Sequence, residues 1–141
     1  MRFWDSSAVL PLLLPDPRTE ALSELLRDDP AIAAWWGTPV ECVSAIARLE
    51  REHRLTEAGV GAAVARLTEA VKSWTEVPPV ERVRDQAARL LRIHPLRAAD
   101  ALQLASAIVL ADFDPRSLPF VTLDQQLASA ARREGFEVLP P

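Results

Sequence analysis

The sequence predicts an α/β protein, a three-layer α/β/α sandwich with a short parallel central sheet and a helix-rich middle. Three observations predict it. Apolar runs of strand length at residues 2–4, 32–35 and 120–123 alternate with longer stretches whose apolar residues recur at helical spacing. Most of the twelve prolines fall between these stretches, where they punctuate elements. No repeat, low-complexity tract or linker divides the 141 residues, so residues 1–141 are expected to form a single domain with one buried core.

Arg2 to Trp4 reads as a short buried strand. Ser6 to about Leu14 reads as a helix that tolerates Pro11 in its first turns. Pro15-Asp16-Pro17 breaks the chain, and Thr19 to Asp28 carries Ala21, Leu22, Leu25 and Leu26 on one helical face. Ile32 to Trp35 reads as a second strand, closed by Gly37. Thr38-Pro39-Val40-Glu41 has the form of a helix start, with Thr38 at the N-cap, Pro39 at the first position and Glu41 completing a capping box. That helix runs to about His53 with Val43, Ile46, Ala47 and Leu49 inward. Glu57 to Trp74 follows, with Val60, Val64, Leu67 and Val71 as its stripe.

Pro78-Pro79 interrupts the chain before a helix from Val80 to Ile93, which ends at His94-Pro95. Arg97 to Ala111 is almost entirely apolar and is expected to be buried on several faces. Phe120 to Leu123 is a third strand. Gln125 to Glu134 is a helix closed by Gly135. Glu137 to Leu139 is a last strand at an edge. Short apolar strands joined through helices imply a parallel sheet covered on both faces, and such sheets take ligands at the carboxyl ends of their strands.

Composition narrows the function. No apolar run approaches the roughly 18 residues of a membrane span, and Met1-Arg2-Phe3-Trp4-Asp5 turns acidic too soon for a signal peptide. A cytoplasmic protein without a membrane partner is expected. The single cysteine, Cys42, excludes an internal disulfide and a cysteine-based zinc cluster, and reads as a packed helix residue. His53 and His94 have no second histidine at metal-ligand spacing, and His94 before Pro95 reads as a helix C-cap. The four glycines form no phosphate-cradling loop. Trp35-Trp36 reads as core and edge packing rather than a base-stacking platform.

Four carboxylates stand out. Asp5 and Asp124 close the first and third apolar strands, and Glu41 and Asp100 lie in the first turns of helices. Each has a structural reading. Asp5 and Asp124 are good N-caps, Glu41 fits the capping box, and Asp100 complements a helix dipole. A carboxylate can cap a helix and still present an oxygen to a cation. Asp100 sits in Ala98-Ala99-Asp100-Ala101-Leu102, where a charge needs a partner. Four converging acids would repel one another, and Mg²⁺ or Mn²⁺ takes oxygen ligands of this kind. The net charge of −4 at first argues against a nucleic-acid partner, but these four acids account for all of it.

On these residues the chain resembles the PIN-domain ribonucleases, and among them the VapC-type toxins of bacterial toxin–antitoxin pairs. The resemblance rests on Phe3-Trp4-Asp5-Ser6-Ser7-Ala8, on Leu96 to Ala105, and on Val121-Thr122-Leu123-Asp124 with Leu127, Ala130, Ala131 and Gly135. It covers nearly the whole chain, with a looser match around Glu41. It implies a Mg²⁺- or Mn²⁺-dependent endoribonuclease whose catalytic and metal-holding acids are Asp5, Glu41, Asp100 and Asp124. It also implies supporting hydroxyls at Ser7 and Thr122. Gln103 stands where the family often has histidine. Asp124 occupies the family's least constant ligand position and could act through water. Arg97, beside Asp100, is a candidate phosphate contact.

The resemblance further implies an RNA substrate, a homodimer, and a cognate VapB-like antitoxin that inserts a basic residue into the acidic pocket. An exposed apolar side of residues 19–36 or 57–74 is the expected contact face. Two other readings share the same acids: a nuclease of DNA or structured nucleic acid, and a catalytically silent PIN-like RNA-binding module. A receiver-type phosphoacceptor domain would want a lysine near its acids. The lone lysine, Lys72, falls on the polar side of a helix.

Overall fold

The computed structural model describes residues 1–140; Pro141, the last residue of the predicted domain, lies outside them. The first strand, β1 (Arg2–Trp4), runs into α1 (Ser6–Leu13), and α2 (Thr19–Asp28) follows. Next come β2 (Ile32–Trp35), α3 (Thr38–Arg51), α4 (Glu57–Val71) and β3 (Thr75–Val77). The chain continues through α5 (Glu81–Ile93), α6 (Ala98–Leu110), β4 (Phe120–Val121), α7 (Gln125–Arg133) and β5 (Val138–Leu139).

All strand pairings are parallel, and the sheet order is β3-β2-β1-β4-β5. Phe3 pairs with Ala33 on one side and Phe120 on the other. The strands alternate their side chains between two cores, as a pleated sheet requires. Phe3, Ala33, Trp35 and Phe120 point to the side covered by α5, α6 and α7. There the Phe3 and Phe120 rings stack with centroids 5.2 Å apart. Trp4, Ile32, Ala34 and Val121 point to the side covered by α1 to α4, where they meet Ala8, Val9, Leu22, Cys42 and Leu67. These two helical layers make the three-layer sandwich that the sequence predicts.

Five sequence expectations are corrected. The strand β3 occupies residues 75–77, to which the sequence assigns no element; its Thr75 and Glu76 are exposed and only Val77 is buried, so no apolar run marks it. The helix before it ends at Val71 rather than Trp74. Thr38 is not an N-cap: Gly37 holds that position without a side-chain bond, and Thr38 is fully buried against Gln103. The capping box with Glu41 therefore does not form, because Thr38 and Glu41 both point to partners outside α3. Finally, Val43 is exposed, and Cys42 and Ile46 carry the inward face of α3.

Other expectations hold. Glu134 receives His94 Nε2 at 2.6 Å where His94 caps the end of α5. Lys72 is exposed and paired with Glu69. The last strand lies at an edge of the sheet. The helix α6 is buried from Ala101 through Ile108 except for the half-buried Leu102. No helix is long and apolar enough to cross a membrane among the described residues.

Candidate active site

The strand order reverses direction at β1. The chain moves outward from β1 to β2 and β3, then returns to pair β4 with the other edge of β1. A crevice opens at such a switch point, beyond the carboxyl ends of the strands. Asp5 follows β1 directly and Asp124 follows β4 after Thr122 and Leu123, so both acids lie at this crevice. Both are N-caps as well: Asp5 accepts from Ala8 N–H at 3.4 Å, and Asp124 Oδ1 accepts from Leu127 N–H at 2.7 Å.

Asp5 is the deepest of the four, 3 % exposed. Ser7 donates to its Oδ1 at 2.8 Å. The same Ser7 hydroxyl accepts from Leu123 N–H at 2.8 Å and lies 3.3 Å from Thr122 Oγ1, which accepts from Asp124 N–H at 3.1 Å. Ser7 and Thr122 thus tie the end of β1 to the loop that presents Asp124. Burial pushes the Asp5 carboxyl up to about 7, against the opposing pull of the Ser7 and Thr122 hydroxyls and the Ser7 and Ala8 amides.

Glu41 enters from the first turn of α3. Ser6 donates to its Oε2 at 3.0 Å, and Gln103 donates to its Oε1 at 3.1 Å. Gln103 is fully buried on α6 and its Nε2 also reaches Thr38 Oγ1 at 3.0 Å. One amide therefore sets the rotamer of Glu41 and joins α3 to α6. Burial raises the Glu41 pKa, with the Asp100 charge adding to it and the Ser6 and Gln103 hydrogen bonds opposing it. Asp100, in the first turn of α6, is raised first by burial and then by the Asp124 charge, while Arg97 draws it back. Beneath them the Cys42 thiol is pushed up to about 12 by burial and by the charges of Glu41 and Asp5, which makes it an inert core residue.

The four acids share one electrostatic neighbourhood, and among the described residues none is in a salt bridge. Nor do any three His, Cys, Asp or Glu side chains among them stand ready-made around one metal position. The donors nonetheless fit a hard divalent cation in kind: all are carboxylate oxygens, and Asp5 is buried with no cation beside it. Side-chain adjustment would have to complete such a site.

Sequence reasoning missed Ser6 and Thr38 as members of this network and gave Gln103 no part in it. A serine beside an acid carries no distinguishing signal. A buried glutamine in an apolar helix does, because its amide must find partners.

A parallel sheet with acids at its switch point, held by hydroxyl and amide donors, defines a small α/β protein with a carboxylate-lined crevice. The PIN domain family model matches residues 2–133, and the chain belongs to that family. Within it the chain is of the VapC type. It is 32% identical to the protein named Ribonuclease VapC45 of Mycobacterium tuberculosis, across 98% of this chain and 94% of that one. The fold is also that of a protein in a toxin–antitoxin complex from Klebsiella pneumoniae, at a TM-score of 0.64 and 16% identity over 91% of each chain. The crystal structure of FitAcB from Neisseria gonorrhoeae gives a TM-score of 0.68 and 19% identity over 98% of this chain and 96% of that one.

Proposed function

We propose that this protein is a Mg²⁺- or Mn²⁺-dependent endoribonuclease and the toxin of a toxin–antitoxin pair. The observation that supports the reading is that Asp5 and Asp124 follow the strands at the switch point, that Glu41 feels the charge of Asp100 and Asp100 that of Asp124, and that among the described residues none of the four is in a salt bridge. The name of the mycobacterial relative supplies the reaction class, and the toxin–antitoxin complex from Klebsiella supplies the kind of partner.

In this reading the four acids hold the cation. Its chemistry when bound is to lower the pKa of water and to neutralise charge on a phosphodiester. The chain's own residues do the rest. Ser7 holds Asp5 and, with Thr122, orders the loop that carries Asp124. Ser6 and Gln103 fix both oxygens of Glu41. Arg97, exposed at the start of α6 and close enough to act on Asp100, offers a guanidinium to the phosphate. No side chain is assigned as a general base.

Asn caps a helix as well as Asp, so substitution separates capping from catalysis. Asp5→Asn, Glu41→Gln and Asp100→Asn are expected to keep the fold and to lose most RNA cleavage, with Asp124→Asn losing least. The parent should gain melting temperature with Mg²⁺ and each variant should gain less. Cleavage should vanish in EDTA. Parent-like cleavage by all four variants would leave the acids with structural roles alone and end the nuclease reading.

The partner reading adds a homodimer and an antitoxin whose basic residue enters the crevice. An apolar groove of about 400 Å³ between α3 and α4, lined by Val40, Val43, Val64, Leu67 and Val71, supports a contact face there. Inhibition of RNA cleavage by an antitoxin peptide that carries an arginine, and loss of inhibition when that arginine is alanine, is the expected result.

A further inference from the structure

A second cavity opens from the edge of the acid crevice. It has a volume of about 550 Å³, and Ser7, Leu123 and Asp124 line it where it meets the crevice. That volume lies within the roughly 300–1,000 Å³ typical of small-molecule sites. Its aliphatic lining comes from Leu10 and Leu14 of the α1 segment and from Leu49 and Leu55 around the end of α3. Its charged lining away from Asp124 is Asp16, Arg18, Arg48 and Arg54.

The three arginines are not equivalent. Arg18 is held by Asp16 through two hydrogen bonds of 2.8 and 2.7 Å, so its charge is already matched. Arg54 lies 3.7 Å from Glu52, an exposed and loose pair. Arg48 is exposed and has no hydrogen bond or salt bridge among the described residues. A free guanidinium in a cavity with an aliphatic lining, in a chain of net charge −4, runs against the average charge of the molecule. A guanidinium takes a phosphate, and an aliphatic surface shelters an unstacked base from water.

We infer that this cavity is a nucleotide subsite for single-stranded RNA next to the cleaved bond, with Arg48 as its phosphate contact and Leu10, Leu14, Leu49 and Leu55 as its base contacts. The inference rests on the ribonuclease reading and deepens it. Asp124 and Ser7 belong to both cavity and crevice, so the two adjoin. Arg48 acts on binding rather than on the reacting atoms.

The test uses the full chain and a labelled eight-nucleotide single-stranded RNA of mixed sequence. Binding is read by fluorescence anisotropy in EDTA at several salt concentrations, and cleavage with Mg²⁺ as kcat and KM. Arg48→Glu is expected to weaken binding at least tenfold and to raise KM by a similar factor, so that KM carries most of the loss in kcat/KM. Arg48→Ala should lower the slope of log affinity against log salt by about 0.7, the share of one phosphate contact on a single strand. Arg48→Lys should restore most of that slope. Ala45→Trp, which fills the cavity from α3, should raise KM with Arg48 intact.

Binding, salt slope and KM all within twofold of the parent for Arg48→Glu would overturn the subsite. So would a variant that leaves RNA binding unchanged but abolishes inhibition by the antitoxin, which would make the cavity a protein-docking site. A parent that binds the RNA through Arg48 but never cleaves it would uphold the subsite and overturn the nuclease reading. A parent that cleaves while Arg48 is silent would do the reverse.

Discussion

Asp5 shows what burial does to a carboxylate with no cation beside it. Its pKa of about 7 lies far above the ordinary value of 3.8, so in the folded chain the acid keeps its proton until the pH approaches neutrality. The stability this contributes is fully present below 3.8 and is lost as the pH rises through about 7. Asp5→Asn cannot titrate. Without metal its melting temperature should match the parent near pH 4 and exceed it by several degrees at pH 8, and thermal melts across that range test it. Saturating Mg²⁺ should shrink the difference. Gln103 offers a second test at this scale. Gln103→Leu removes the amide that holds Glu41 and leaves Thr38 without its partner, at a cost of about 1–3 kcal/mol. Cleavage should fall roughly 10- to 100-fold, the range for residues that orient metal ligands, and Gln103→Glu should not rescue it because it adds an acid to the cluster. The four acids are legible in the sequence because each marks an element end. Their holders are less so, because Ser6 and Thr38 acquire their roles only when α1, α3 and α6 meet.

At the scale of elements, the helices are legible to within a few residues because periodicity and breakers agree. The strand β3 is not, since a three-residue edge strand with one buried side chain leaves no pattern to read. The start of α3 misleads for another reason. Thr38, Pro39 and Glu41 satisfy a local capping rule, yet tertiary partners claim both polar side chains and the cap falls to Gly37. A Cβ at Gly37 would sit 2.5 Å from Trp35 Nε1, so the turn from β2 into α3 needs glycine for space. Gly37→Ala should cost about 1–3 kcal/mol and should also lower cleavage, because α3 carries Glu41. Thr56→Ala is the contrasting case. It removes a cap bond of 3.1 Å to Gly59 N–H at the start of α4. Denaturant melts should show a loss of about 1 kcal/mol with kcat unchanged.

At the scale of the whole molecule, parallel strands covered by helices on both faces are readable from the sequence. The order of the strands is not, because no local signal says which edge of β1 a later strand will take. Assembly belongs to this scale too. Val40 and Val43 are 70% and 43% exposed on the wall of an apolar groove. Sedimentation should find a dimer, and Val40→Glu with Val43→Glu should yield a folded chain with weaker self-association or weaker antitoxin binding. A monomeric parent that no antitoxin peptide inhibits would count against that face. The central position of β1 has a further consequence, for the chain as it is being made. The strand β1 is made before both of its neighbours in the sheet, and one of its edges waits for Phe120 and Val121. Until those residues arrive, the nascent chain carries an open strand edge and an acid at residue 5 with no partner loop. The sheet is built around β1 but completed by β4 and β5, so a chain terminated before Phe120 lacks both the finished sheet and the fourth acid.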